Sequence, residues 1–586
     1  MNKKLFTFLA VFMVASIVLT ACGGGKTATP AMTDVPTSVA TEVPTSVATE
    51  APTAIPDVPI ATFDGASLSV PASECNGDYV GLVQSVVATD ANTVTFTLCR
   101  PDPAFLSKIA FAGYGIYPSE WIEATAGDGQ RTTEGLEHPV GTGPYMVSEW
   151  KRGESITFVA NPNYWGEAPK TQTLVFRWLT DSASRFVELQ AGTIDGYDNV
   201  GPDDFEAIMA DPTLALVNRP ALNTFYIGMT NTFAPWDNQL VRQAIAMGID
   251  RQRIVDNFYP AGSEVASHFT PCAIPNACAG DAWYEFNAAD AKAKLAEAGF
   301  PDGFKTKLYY RDVVRSYLPN VSNVAQDIQA QLKANLNIDA EIVVMQSGAF
   351  IEASTSGSLD GLYLLGWGAD YPHVTNFLDF HFGAANPQFG VQSDTYTALL
   401  TQGAQIANPA DAESVYVEAN NAIRDFVPMI PIAHGGSAVA YRADVTTPQA
   451  SPLGNELFYV SAAGDRDVFV WMQGAEPISL FCADESDGES LRACEQVVET
   501  LYSFEINGAA AVPSLAESCT ANADLTVWTC ALRQGVTFSD GSTFDANDVV
   551  ATFNMGLNIA SPFHVGNTNL WEYYDYLWGL MKKPGG

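Results

Sequence analysis

Nine cysteines are the side chains best able to do chemistry in this 586-residue sequence. Cys22 stands alone near the start, and the other eight fall into four close pairs: Cys75 with Cys99, Cys272 with Cys278, Cys482 with Cys494, and Cys519 with Cys530. A structural zinc site needs Cys-x2-Cys or histidine-pair spacing, and none of the pairs has it, so no metal is expected. Disulfides are the better use of these thiols, with nearest-neighbour pairing taken from proximity among the 105 connectivities that eight cysteines allow. The six histidines, at 138, 268, 373, 381, 434 and 564, include no His-x-x-x-His pair. Ser148-Glu-Trp-Lys151 has the Ser-x-x-Lys spacing of an acyl-transfer nucleophile, but no Lys-Thr-Gly or Ser-Asp-Asn partner accompanies it. Gly-x-Ser-x-Gly and Walker loops are missing as well. These side chains point away from an enzyme, and no cofactor is expected.

The elements that would carry such side chains alternate between two periods. Val94, Phe96 and Leu98 alternate with Thr93, Thr95 and Thr97, which predicts a half-buried strand, and residues 527–532 read similarly. Leu240, Val241, Ala244, Ile245 and Ile249 recur at helical spacing behind Asp237, a candidate cap. Asn287 with Asp290 has the form of a capping box before a helix over 291–298, with Gly299 placed to end it. Val324, Ile328, Leu332 and Leu336 mark another amphipathic helix. The class is mixed α/β, and about 525 residues suffice for more than one domain.

The first 60 residues have a different character. Lys3 and Lys4 precede a largely apolar run of fifteen residues, Leu5 to Leu19, too short for the roughly 20 that span a bilayer but suited to a cleaved export signal over 1–21. Leu19-Thr-Ala-Cys22 resembles the bacterial lipobox, which implies diacylation of Cys22, and two acyl chains give stable anchoring. Residues 22–60 read as a disordered tether, opening on three glycines and repeating Pro-Thr-Ser-Val-Ala-Thr-Glu at 36–42 and 44–50. Losing Lys3 and Lys4 with the signal takes the formal net charge from −37 to −39. Such acidity argues against nucleic acid, whose binding depends on Lys and Arg neutralising phosphates.

Four blocks carry a family resemblance. They are Gly141–Trp150 (Gly-Thr-Gly-Pro-Tyr-Met-Val-Ser-Glu-Trp) with Asn161–Gly166; Val241–Arg251; Gly366–Pro372 (Gly-Trp-Gly-Ala-Asp-Tyr-Pro) with Asn376–Leu378; and Pro513–Glu517 through Leu532–Gly541 to Asp548–Val550. Together they resemble the extracellular solute-binding proteins of the oligopeptide, dipeptide and nickel transporter class, family 5, from about residue 62 to 586. The order departs from that family: the fourth block and its lead-in, Asp467–Leu480, open such proteins, and here they close the chain. The chain therefore reads as a circular permutant with the usual termini joined near 461–466 and Trp571–Met581 brought near 62–80. The rival reading is a tandem of partial domains or a misassembled gene.

The resemblance implies a two-lobed periplasmic-binding-protein type II fold, circularly permuted, with a hinge and an interlobe cleft. Lobe I would combine 61–222 with 436–586, and lobe II would be 223–435. It also implies a monomeric, lipid-anchored protein on the extracytoplasmic face of the cell membrane, which hands a peptide-like solute to the permease subunits of an ABC importer. Asp370 is then the anchor for the ligand amine, Trp367 a cleft wall, and Gly368 and Tyr371 its neighbours. Gln473, Gly474, Ala475 and Glu476 would form the lobe I edge that pairs with ligand backbone. The same fold serves nickel chelates, haem, oligosaccharides and sensing. A chelate would call on His373 or His381, which flank the Asp370 loop.

Overall fold

The structure is a computed structural model that describes residues 65–69, 75, 79, 81–311, 313–383, 386–406 and 408–581. The export signal, Cys22 and the tether lie outside the described residues. No helix among the described residues is long and apolar enough to cross a membrane.

Three large sheets organise the chain. The first is antiparallel and five-stranded, in the order Ser67–Ser69, Val83–Asp90, Thr93–Leu98, Val527–Leu532 and Ala516–Ala521. Alternation explains its middle: Val94, Phe96 and Leu98 are buried while the threonines between them are half-buried. The strand Thr93–Leu98 thus pairs with residues more than 400 positions later in the chain.

The second sheet has seven strands, in the order Tyr145–Lys151, Ser155–Ala160, Thr173–Trp178, Val468–Gln473, Gly196–Tyr197, Ser437–Arg442 and Leu214–Arg219. Val468–Gln473 lies parallel to both its neighbours, inserted between strands that come some 270 to 300 residues earlier. The third sheet, of six strands, is drawn wholly from residues 223 to 434. Its order is Glu264–Val265, Met429–His434, Asn223–Met229, Leu362–Gly368, Lys305–Arg311 and Asp339–Met345. Lys305–Arg311 lies parallel to both its neighbours, and its pairing with Asp339–Met345 needs a crossover. The helix Val321–Leu336 supplies it and buries the expected stripe of Val324, Ile328, Leu332 and Leu336.

Helix ends follow capping chemistry with one shift of register. Asn238, not Asp237, caps Gln239–Gly248, its side-chain oxygen accepting from Leu240 N at 3.0 Å. Asp237 is one residue too early to reach those N–H groups. Asn287 caps Ala288–Glu297 by accepting from Ala289 and Asp290 N. The return contact runs from the Asn287 amide to Asp290 Oδ2 at 2.7 Å, rather than from the backbone N–H that a full capping box uses. Gly299 follows at φ +95°, a left-handed conformation that disfavours any side chain.

Two large hydrophobic clusters result. One fills the space around the six-stranded sheet, and the other combines residues 79–176 with 439–581. In the second cluster the two ends of the described chain meet. Leu82 N donates to Trp578 O at 2.5 Å, and Lys108 Nζ to Leu577 O at 3.4 Å.

Each of the eight described cysteines is bonded to its nearest cysteine in sequence. Cys75 joins Cys99, Cys272 joins Cys278, Cys482 joins Cys494 and Cys519 joins Cys530, with Cα separations of 5.2, 5.1, 5.9 and 4.0 Å. Two of these disulfides belong to the five-stranded sheet. Cys99 directly follows the strand Thr93–Leu98 and ties it to the segment leading into that sheet. Cys530 stands directly across from Cys519 in the antiparallel pair of Val527–Leu532 with Ala516–Ala521, so the sheet register itself brings the sulfurs together.

Candidate functional site

The strand Leu362–Gly368 is buried through Gly366 and then emerges from the sheet. At Gly366 a Cβ would stand 2.5 Å from Thr224 O and closer still to the Tyr317 ring, so this close approach admits only glycine. Trp367 is half-buried and Gly368 exposed, with open space where its side chain would be. The chain then turns through Ala369, Asp370 and Tyr371 into the helix Val374–Phe382. One fully buried side chain, Asn376, fixes this turn. Its Oδ1 accepts from Asp370 N at 3.1 Å and from Trp367 Nε1 at 3.2 Å, and its Nδ2 donates to Asp370 Oδ2 at 2.9 Å.

The second oxygen of Asp370 points to the other hydrophobic cluster. Tyr573, on the helix Glu572–Trp578 and 203 positions away in sequence, donates its hydroxyl to Asp370 Oδ1 at 3.3 Å. Aromatic rings close the same junction. Trp367 stacks on Phe380 at 4.4 Å, and Tyr576 meets both rings edge-on, at 6.0 and 4.7 Å. Tyr371 is buried within the cluster that holds Tyr573, its hydroxyl 3.3 Å from Thr375 Oγ1.

Among the described residues, the donors to the Asp370 carboxylate are therefore neutral. Burial pushes its carboxyl up to about 6, the hydrogen bonds from Asn376 and Tyr573 pull it down, and Glu572 pushes it up. It lines a cavity of about 180 Å³ together with Phe111, Leu453, Asn455, Arg492 and Glu495. A desolvated carboxylate without a cation is costly, and a ligand ammonium entering this cavity would make a charge-assisted pair with it. Tyr573→Phe removes a donor to the ionised form, so the Asp370 carboxyl should titrate higher than in the parent. Carboxyl ¹³C NMR across pH 4–9 reads that shift, and an unmoved midpoint would remove Tyr573 from the site.

The remaining expected site residues lie elsewhere. Val468–Gln473 is flanked by strands on both sides, so its backbone is not an open edge. Gln473 is fully buried, with Nε2 donating to Ala475 O and Glu489 O. Glu476 accepts from Trp150 Nε1 and Gly153 N on the hairpin of Tyr145–Lys151 and Ser155–Ala160. Gly474 is half-buried and Ala475 exposed. None of the four lines the cavity at Asp370, and neither do Trp367, Gly368 or Tyr371; an added ligand strand has no free edge before residue 474.

Neither histidine beside the loop lines that cavity. His381 is fully buried among aromatic rings, its Nδ1 2.8 Å from Phe377 O, and burial pushes it down to about 3. His373 caps its helix, and burial pushes it down to about 4. Among the described residues one cluster, His268 with Cys272 and Cys278, brings together the donor types for a metal, and its two sulfurs are bonded to each other. Sequence reasoning missed Tyr573, Asn455, Arg492 and Glu495. Asn376 stood in a quoted block without a role.

A family model described as "Bacterial extracellular solute-binding proteins, family 5 Middle" matches residues 59–389 and 510–570. Heme-binding protein A of Haemophilus influenzae is 29% identical over 384 residues, 64% of this chain and 69% of that protein. Di/tripeptide-binding protein 1 of Pseudomonas aeruginosa is 29% identical over 383 residues, 64% and 70% of the two chains. Among solved structures, HbpA2 from Haemophilus parasuis superposes with a TM-score of 0.58 at 30% identity, over 65% of this chain and 76% of that one.

Proposed function

Since this chain belongs to the bacterial extracellular solute-binding proteins of family 5, we propose that its solute is a short peptide, gripped by the α-ammonium at Asp370. The observation that carries this reading is the Asp370 carboxylate itself, half-buried in a cavity between the two hydrophobic clusters and held, among the described residues, by Asn376 and Tyr573. A sugar has no cation to offer it. A metal chelate or haem would call on a histidine, and neither His373 nor His381 lines the cavity. A relative named for di- and tripeptides supports the same choice.

In this reading lobe I combines residues 61–222 and 436–586, lobe II is 223–435, and the lobes close over the ligand by a hinge. Cys22 carries the lipid, residues 22–60 form the tether, and the protein delivers its peptide to the permease of an ABC importer. The order of the chain is a circular permutation of the family's. One feature favours this: residues 81–82 lie against 578–579, where domain termini rejoin readily.

Native mass spectrometry of the purified protein tests the ligand. Retained short peptides of mixed composition are expected, and a retained haem, metal complex or oligosaccharide would overturn the assignment.

A further inference from the structure

The cavity at Asp370 is lined by a second carboxylate, Glu495, which also borders a neighbouring cavity and for which the binding of an α-ammonium has no use. Glu495 follows the helix Gly488–Cys494 and is buried, about nine-tenths removed from solvent. Its Oε1 accepts from Asn455 Nδ2 at 2.9 Å, while its Oε2 is buried with no hydrogen-bond partner among the described residues. The guanidinium nearest in sequence is committed elsewhere. Arg492 donates to Glu456 Oε2 at 2.6 Å and to Gly454 O at 2.7 Å, and pairs with Asp198 Oδ2 at 2.9 Å.

A buried acceptor without a donor costs roughly 1–3 kcal/mol, more when charged, and folding provides no remedy here. Asp370 approaches the cavity from the six-stranded sheet, and Glu495 from the cluster packed on the seven-stranded sheet. The cavity's volume of about 180 Å³ equals roughly six liquid waters. That is more than an ammonium group needs and about the size of one side chain. Burial pushes the Glu495 carboxyl up to about 7, with Glu456 pushing the same way and Asn455 and Arg492 opposing. Oε2 itself has almost no surface open to the cavity, so a cation pairs with it once the carboxylate turns toward the ligand, and its arrival would restore the charge.

We infer that Glu495 is a second cation-binding group of the ligand cavity, selecting peptides whose first side chain carries an ammonium or guanidinium. This inference rests on the peptide reading above. Asp370 takes the main-chain amine common to all peptides, and Glu495 takes the side-chain cation and so sets specificity. Arg492 has no such role, because Glu456 and Asp198 already neutralise it.

Calorimetric titration of the full chain with lysyl-alanine and with norleucyl-alanine, its uncharged near-isostere, tests this. Lysyl-alanine should bind at least tenfold more tightly, and Glu495→Gln should bring the ratio of the two affinities to within about twofold. A parent protein without the preference, or an E495Q variant that keeps it, overturns the inference. If E495Q does not fold, the ratio in the parent decides. Should both dipeptides bind in a manner lost in Asp370→Asn, but without preference for lysine, only the role of Glu495 falls. Should neither bind, or both bind independently of Asp370, the peptide reading falls and this inference with it.

Discussion

Asp370→Asn should weaken the binding of a short peptide by roughly 30-fold to several-thousand-fold. That range corresponds to the about 2–5 kcal/mol that truncating one member of a buried, hydrogen-bonded charge pair costs. The variant keeps the shape of the side chain and one oxygen able to accept from Asn376, so the loss isolates charge from packing. The same substitution should raise the stability of the unliganded protein. The folded carboxyl sits at about 6, above the roughly 3.9 of an unfolded Asp. The folded state therefore binds this proton more tightly, and stability falls as pH rises from about 4 to about 6. Asn has no such titration, so the variant should melt at a higher temperature than the parent at pH 8 and lose the advantage near pH 4. Calorimetric titration gives the first result and melting curves against pH the second. Unchanged affinity in D370N would end Asp370's role as the anchor.

Arg492→Met should produce the largest loss of stability, about 3–5 kcal/mol, because breaking a buried ion pair strands its partners. Arg492 bridges Glu456 at 2.6 Å and Asp198 at 2.9 Å, and Glu456, fully buried, is shared with Arg219 at 2.6 Å. Methionine fills similar space, so the loss reports charge left behind rather than a void. Removing one stranded acid as well, in Arg492→Met with Asp198→Asn, should recover part of the loss. Denaturant unfolding of the two single variants and the double variant measures it. Purely additive losses would mean that the network does not act as a unit.

Much of the fold was legible because it is written in local periods. The alternation of Thr93–Leu98 and the stripe Val324–Leu336 state their buried faces outright. Caps were legible to within a residue: Asp237 and Asn238 offer the same chemistry, and backbone geometry chose the latter. Long-range insertion was not legible. Val468–Gln473 has the composition of a strand anywhere in a sheet, and only the assembled structure places it at the centre rather than at an edge. The site divides in the same way. Asp370 and Asn376 lie 6 positions apart, whereas Tyr573 reaches Asp370 across 203 positions. Glu495 carried no local signal, since its importance lies in an oxygen that nothing nearby satisfies.

The division of the sheets along the chain also sets the order in which the molecule can be made. The six-stranded sheet comes from one unbroken stretch and can assemble once residue 434 has emerged. The other two cannot. Strands from the first 220 residues must wait for Val468–Gln473, Ala516–Ala521 and Val527–Leu532 before their hydrogen bonds are filled. The helix Glu572–Trp578, which supplies the hydroxyl at Asp370, follows later still. Until then the early strands hold unpaired edges, the condition that favours aggregation. A chaperone that shields extended chain would therefore matter most in the interval between completion of the six-stranded sheet and arrival of the last helix.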